Sequence, residues 1–300
     1  MCVLNVPMTL CMLLSLSVVS FAEDPPSVGR VSKLDSDTRQ RCIGVLEEGM
    51  QSDDFWPSIH AAEGLTVGGR VDIVQAYLTP RLAAESDDQK RCGLARELVR
   101  AGSLQHGSVL LSVLSDKDSN GQVHAAESLY KVGWSGDASA LRAAFSDCSE
   151  MRLRLMAAAA LAKHCEHSVR KDAFSFLREN LRSESDPAIF RLSAWVLGRI
   201  GESGDRDLIR SRLDDAQTDT LVFAFLEHAL AALGDPRGRQ ALLRNFESKD
   251  PVIRTYAAIF AGESGMMEAS PNLIRQLDDK NLDARIRAAH ALLLLFGQDL

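Results

Sequence analysis

Three hundred residues with a formal net charge of −7 and a pI near 5.6 argue against a dedicated nucleic-acid binder, which would carry a basic face. Only 6% of residues are aromatic while 46% are hydrophobic, so any core is built from small and aliphatic side chains in thin layers. A chain of this length conventionally divides into two domains, an expectation that the repeats described below replace with a single extended array.

In chain order, residues 1–22 contain no charged side chain, and their apolar run from Met8 is too short for a comfortable membrane span. Ser20 and Ala22 supply the small residues that a signal peptidase requires, so 1–22 reads as a signal peptide and the expected location is periplasmic or secreted. Residues 23–37 carry Pro25-Pro26 and polar side chains and read as a flexible lead-in to a repeat array over 38–300. A first helix over about 38–50 has the pattern of a repeat's second helix whose first helix is missing. From Phe55 onward helices follow in pairs with short connections and without strand-type alternation, which predicts an all-α chain.

The register of the pairs is marked by a closing glycine: Gly69, Gly102, Gly133, Gly201, Gly234, Gly265 and Gly297, with Cys165 in the slot between Gly133 and Gly201. Upstream of most of them lies a small-residue core, such as HAAEGL (60–65), HAAESL (124–129), MAAAAL (156–161) and RAAHAL (287–292). The copy over 250–265 is the fullest. Asp250-Pro251 supplies an N-cap and a residue suited to the first helical position, and Gly265 a residue suited to the left-handed conformation that ends a helix. After each glycine comes a second apolar-periodic run, for example DRDLIRSRLDD (205–215). Self-similarity at a period in the low thirties predicts a solenoid of paired helices. Asp87 and Arg91, Glu150 and Arg154, and Asp250 and Arg254 are spaced to pair along their own helices.

This grammar resembles HEAT repeats, and most closely the short bacterial HEAT-like repeats, over about residues 38–297. The resemblance implies a right-handed α-solenoid of about seven helix pairs. It implies a non-enzymatic binding scaffold, usually for other proteins, with second helices lining the concave face. Two branches of the superfamily imply an alternative: deoxyhypusine hydroxylase binds two irons through histidine–glutamate dipeptides, and phycobilin lyases cradle a tetrapyrrole.

Three sets of residues are candidates for function. Arg142, Arg178, Arg210, Arg244 and Arg275 each follow a core leucine or isoleucine in successive second helices, which predicts a line of guanidinium groups along the array. Such a line suits an acidic peptide, a protein partner or an anionic glycan; its bland reading is that each arginine serves nearby acids and its own helix end. His60 and Glu63, repeated as His124 and Glu127, place two potential metal ligands on one helix face in each copy. In a linear array the copies stand two repeats apart, roughly 20 Å at 8–10 Å per helix layer, too far to share an ion, so no metal or cofactor is expected. Leu292–Phe296 belongs to a last helix with no second helix after it, which predicts an uncovered apolar end suited to self-association.

No Ser/His/Asp order, P-loop, G-x-G-x-x-G or C-x-x-C is present, and catalysis is not expected. Trp195 reads as core packing, with Trp56 and Trp134 near helix starts and connections. Cys42, Cys92, Cys148 and Cys165 read as free thiols; Cys148 and Cys165 lie at opposite ends of one expected helix, about 25 Å apart at 1.5 Å per residue.

Overall fold

The computed structural model describes residues 33–297 except 135, 166, 184–185 and 216–219. The expected signal peptide and nearly all of the lead-in lie outside the described residues. Every element among the described residues is helical, and none of the helices is long and apolar enough to cross a membrane.

One helix precedes the pairs, α1 (Ser36–Met50). Seven pairs follow: α2 (Phe55–Val67) with α3 (Val71–Ala84), α4 (Asp88–Arg100) with α5 (Gly107–Ser115), α6 (Gln122–Val132) with α7 (Ser139–Asp147), and α8 (Met151–His164) with α9 (His167–Ser183). Then come α10 (Pro187–Ile200) with α11 (Asp205–Asp215), α12 (Thr220–Ala232) with α13 (Pro236–Asn245), and α14 (Pro251–Glu263) with α15 (Ser270–Gln276). A single helix, α16 (Leu282–Phe296), ends the order.

Local chemistry sets the helix boundaries. Asp186 and Asp250 accept hydrogen bonds from the amides of Ala188 (2.7 Å) and Val252 (2.8 Å), each with proline at the next position. Five of the seven register glycines, Gly69, Gly102, Gly133, Gly234 and Gly265, take positive φ, as a left-handed helix stop requires. Gly201 and Gly297 do not; they end α10 and α16 at negative φ. The expected acid–arginine pairs along single helices do not form. The acids cap their helices, while Arg91 turns to Asp88 (2.6 Å) and Arg254 reaches Asp279 of the following connection (2.7 Å).

The first helices pack side by side in sequence, α2 on α4, α4 on α6 and onward to α14 on α16, and α16 then packs on α2. The array therefore closes into a ring of eight first helices. The second helices, which touch one another little, form its outer layer. This closure corrects two expectations at once. The apolar face at Leu292–Phe296 is covered: Leu292 and Leu293 are buried, and Leu295 and Phe296 pack against the core. Its cover is α1 and α2, so the orphan second helix at one end of the chain pairs with the orphan first helix at the other.

Small residues make the seam possible. A Cβ on Gly49 would stand 2.7 Å from Ile286, one on Gly64 2.6 Å from Leu46, and one on Gly68 2.7 Å from Ile43. Arg41 adds an ion pair to Asp278 across the same seam. On the neighbouring interface, a Cβ on Gly262 would lie 2.8 Å from the Cα of Ala291, so α14 and α16 approach backbone to backbone. Gly262→Val is expected to force these helices apart at a cost of about 1–3 kcal/mol. Its thermal midpoint should fall by several degrees, whereas Gly44→Ala, at a site with nothing within 4 Å, should hold or raise it. Equal midpoints for the two variants would contradict the close approach.

Candidate functional site

Closure turns the inner faces of the first helices toward one another, and they line a cavity of about 430 Å³. Seven of the eight contribute to its wall. From α2 come His60 and Glu63; from α6 Val123, His124, Glu127 and Lys131; from α8 Arg152 and Met156; from α10 Arg191, Leu192, Trp195 and Arg199. Phe225 of α12, Thr255, Tyr256, Ile259 and Glu263 of α14, and Asp283 and Arg287 of α16 complete it. Helix α4 stands behind the wall because Trp56 of α2 stacks on His124 of α6, with ring centroids 5.3 Å apart. Gly93 of α4 leaves room for this: a Cβ there would stand 3.3 Å from Phe55 and Trp56.

The acids of the wall are all engaged. Glu63 bridges Arg100 of α4 (3.0 Å) and Arg287 of α16 (2.7 Å). Burial alone would raise its pKa, but the two guanidinium groups outweigh it and hold the carboxyl well below the ordinary glutamate range. Behind them, the fully buried Glu97 accepts from Arg96 (2.6 Å) and pairs with Arg100. Glu127 pairs with Lys131 at 2.6 Å, and against the opposing effect of burial Lys131 and Arg96 bring it down to about 2. Burial lowers the ammonium of Lys131 itself. His60 donates from Nδ1 to Asp283 at 2.7 Å, yet burial and the charge of Arg287 keep its pKa below the ordinary histidine value.

Glu263 pairs with Arg199, and burial raises its pKa. That pair also forms part of the wall of a smaller cavity of about 240 Å³, lined by Tyr130, Lys163 and Phe260. The hydroxyl of Tyr130, buried beside it, has no hydrogen-bond partner among the described residues.

The cations are not all engaged. Among the described residues Arg152 and Arg191 have no ion pair and no side-chain hydrogen bond, and both face the cavity. Sequence reasoning missed them. The wall thus carries five cations, Lys131, Arg152, Arg191, Arg199 and Arg287, against four acids, each committed to a partner.

The arginine line lies elsewhere. Arg142, Arg178, Arg210, Arg244 and Arg275 sit on the outer helices α7, α9, α11, α13 and α15, not on the concave wall. The physical reason is circumference: the inner ring has less room per helix, and the alanine-rich first helices fill it. Four of the five meet carboxylates. Arg178 holds Asp205 (2.7 Å) and Glu202 (3.0 Å), Arg210 holds Asp207 (2.9 Å) and Asp235, Arg244 approaches Glu227 (3.8 Å) and Arg275 meets Glu247 (3.0 Å). Arg142 donates to the Asp137 carbonyl at 3.3 Å.

His60, Glu63, His124 and Glu127, two repeats apart along the chain, do line one cavity. They do not fit a metal. The carboxylates of Glu63 and Glu127 are already bound by Arg100, Arg287 and Lys131, and Nδ1 of His60 by Asp283. No group of three or more His, Cys, Asp or Glu side chains among the described residues is arranged to hold a metal ion.

Trp195 is buried, edge-on to Tyr130 and beneath Arg199, and it lines the cavity as well as packing the core. Trp134 packs over Gly107, and Trp56 forms the stack on His124. The four described cysteines are free; burial pushes the thiols of Cys42 and Cys92 up to about 12, which leaves them inert.

No family model matches the chain, and no curated protein matches it in sequence. Among solved structures it is similar to human deoxyhypusine hydroxylase in complex with glycerol, at 17% identity and a TM-score of 0.40, over 87% of this chain and 98% of that one. It is also similar to the complex of CpcE and CpcF of phycocyanin lyase from Nostoc sp. PCC7120, at 17% identity and a TM-score of 0.43, over 90% and 98%. An engineered protein matches at 17% identity and a TM-score of 0.31, over 87% and 97%.

Proposed function

We propose that this protein is a HEAT-like repeat array acting as a non-enzymatic binding module, and that its receptor site is the central cavity rather than the outer arginine line. The observation that carries this reading is convergence. Side chains from seven helices, spread over most of the chain, meet around a space of about 430 Å³, within the usual range for small-molecule sites. Aromatic and aliphatic groups (Trp195, Phe225, Tyr256, Ile259) alternate there with charged ones, the mixture that gives a pocket both affinity and orientation. The acids that might serve a reaction are held as ion-pair partners, which supports binding over catalysis. Export directed by residues 1–22 belongs to the same proposal.

Ile259 is half-buried at the wall, and Ile259→Trp places an indole in the cavity and narrows it from within. Wild type and this variant are incubated with a small-molecule extract, separated by gel filtration and denatured, and the released compounds are identified by mass spectrometry. A species retained by the wild type and lost in Ile259→Trp is expected. Identical retained sets would reject the cavity as the receptor site.

A further inference from the structure

Resting on the cavity as the receptor site, we infer that its ligand is a small organic anion, with a carboxylate or phosphate head held between Arg152 and Arg191 and a flat or apolar body against Tyr256, Phe225 and Met156. The two arginines come from adjacent inner helices, α8 and α10, and face the same space. Arg191 is half-buried and Arg152 exposed at the cavity's rim, and the fork of a guanidinium group matches the geometry of an oxyanion. Every carboxylate in the wall already has a cationic or histidine partner, so none is left to neutralise them from within the protein.

A second observation points the same way. Arg287, only 7% exposed, lines the cavity with an Nε that has no hydrogen-bond acceptor, Asp283 being 4.0 Å away. His124 adds a buried Nδ1 without a partner. These are unused polar positions on the wall of a cavity whose acids are otherwise fully occupied. A protein carrying a net charge of −7 thus places two cations without a carboxylate partner, Arg152 and Arg191, on the wall of this cavity. The aromatic face opposite supplies the contact that a bare inorganic ion would not use. Tyr256 has no hydrogen bond from its hydroxyl among the described residues, and burial raises its pKa, so its proton is available to donate to the same head group.

The test is calorimetric titration with three probes of similar body and different charge: phenyl phosphate, benzyl alcohol and benzylamine. Phenyl phosphate is expected to bind with a stoichiometry of one. The doubly substituted Arg152→Gln/Arg191→Gln protein should bind it at least ten-fold more weakly, since one charge-assisted hydrogen bond is worth about that factor or more. Neither arginine has a partner in the fold, so this variant should melt like the wild type, which separates lost binding from lost structure. Ile259→Trp should weaken binding at least ten-fold. If benzyl alcohol and benzylamine bind as tightly as phenyl phosphate, and all three are weakened only in Ile259→Trp, the anion assignment is overturned while the cavity remains the receptor site. If phenyl phosphate binds Ile259→Trp as well as it binds the wild type, both fail. Absence of binding by any probe at millimolar concentration also overturns the anion assignment.

Discussion

Glu63→Gln is expected to destabilise the protein by about 3–5 kcal/mol, the usual cost of removing one member of a buried ion pair and leaving its partner charged. Glu63 bridges Arg100 and Arg287, whose side chains are 19% and 8% exposed. Arg100 keeps Glu97, but Arg287 keeps only Asp283 at 4.0 Å. The loss falls on the contact where α16 meets α2, so it opens the ring rather than loosening one repeat. Urea unfolding of Glu63→Gln, Arg287→Met and the double variant forms the appropriate cycle. The double variant should recover much of the loss, because a methionine in place of Arg287 leaves no buried charge behind. A loss below about 1 kcal/mol in Glu63→Gln would be the value of an exposed pair and would contradict this role. Since the folded pKa of Glu63 lies below its unfolded value of about 4.3, its stabilisation is present above that pH and fades only as pH falls toward the lower folded value.

A second, earlier acid loss comes from buried histidines; His60, His124 and His164 are lowered as well, and two others are lowered furthest. His228 is completely buried between Phe225 and Phe260, and burial lowers its pKa to about 3. His290 lies at the seam above Gly64, and burial lowers it to about 4 despite nearby Glu63 and Glu97, with Arg287 and Arg100 pushing the same way as burial. Both are therefore neutral in the folded protein and take up protons in the unfolded chain below about pH 6.5. Stability is complete above that pH and falls as pH drops through the window down to about 4 for His290 and about 3 for His228. At about 1.4 kcal/mol per unit for each group, the two together remove roughly 5 kcal/mol between pH 6.5 and 4.5. Urea midpoints measured across this range should decline before Glu63 begins to titrate. His228→Leu should reduce the slope measurably, and the Asn245 amide that faces His228 keeps Glu227 at 2.8 Å. An unchanged slope in this variant would show that His228 is not the group responsible.

The repeat was legible because it is local: Asp-Pro caps, paired alanines and a closing glycine set each helix pair without reference to the others. The closure was not, because it is the sum of small rotations at successive interfaces, and no single repeat encodes that sum. Its trace was nonetheless present at both ends of the chain. Residues 38–50 read as a second helix lacking its first, and 282–296 as a first helix lacking its second; each is the missing half of the other.

The same omission explains the reading of His60, Glu63, His124 and Glu127. Two repeats apart along a straight array they are remote, but around a ring they face one space. The five arginines of the line sit on successive second helices, yet sequence spacing does not say which layer those helices occupy. The usable signal was the alanine content of the first helices, since small side chains are what the tighter inner circumference admits. Arg152 and Arg191 carry no periodic mark, and only the coordinates reveal that they lack partners.

Since α1 completes the pair begun by α16, the molecule has no structural beginning. Joining the neighbourhood of Phe296 to that of Ser36 through a short linker, and cutting the chain at any other connection between pairs, should leave every helix interface in place; such circular permutants ought to fold. Tandem duplication, by which an open array lengthens freely, meets the opposite fate. A ninth stave would have to share the same circumference, widening the hoop at every joint and pulling apart the wall on which the interior charges depend.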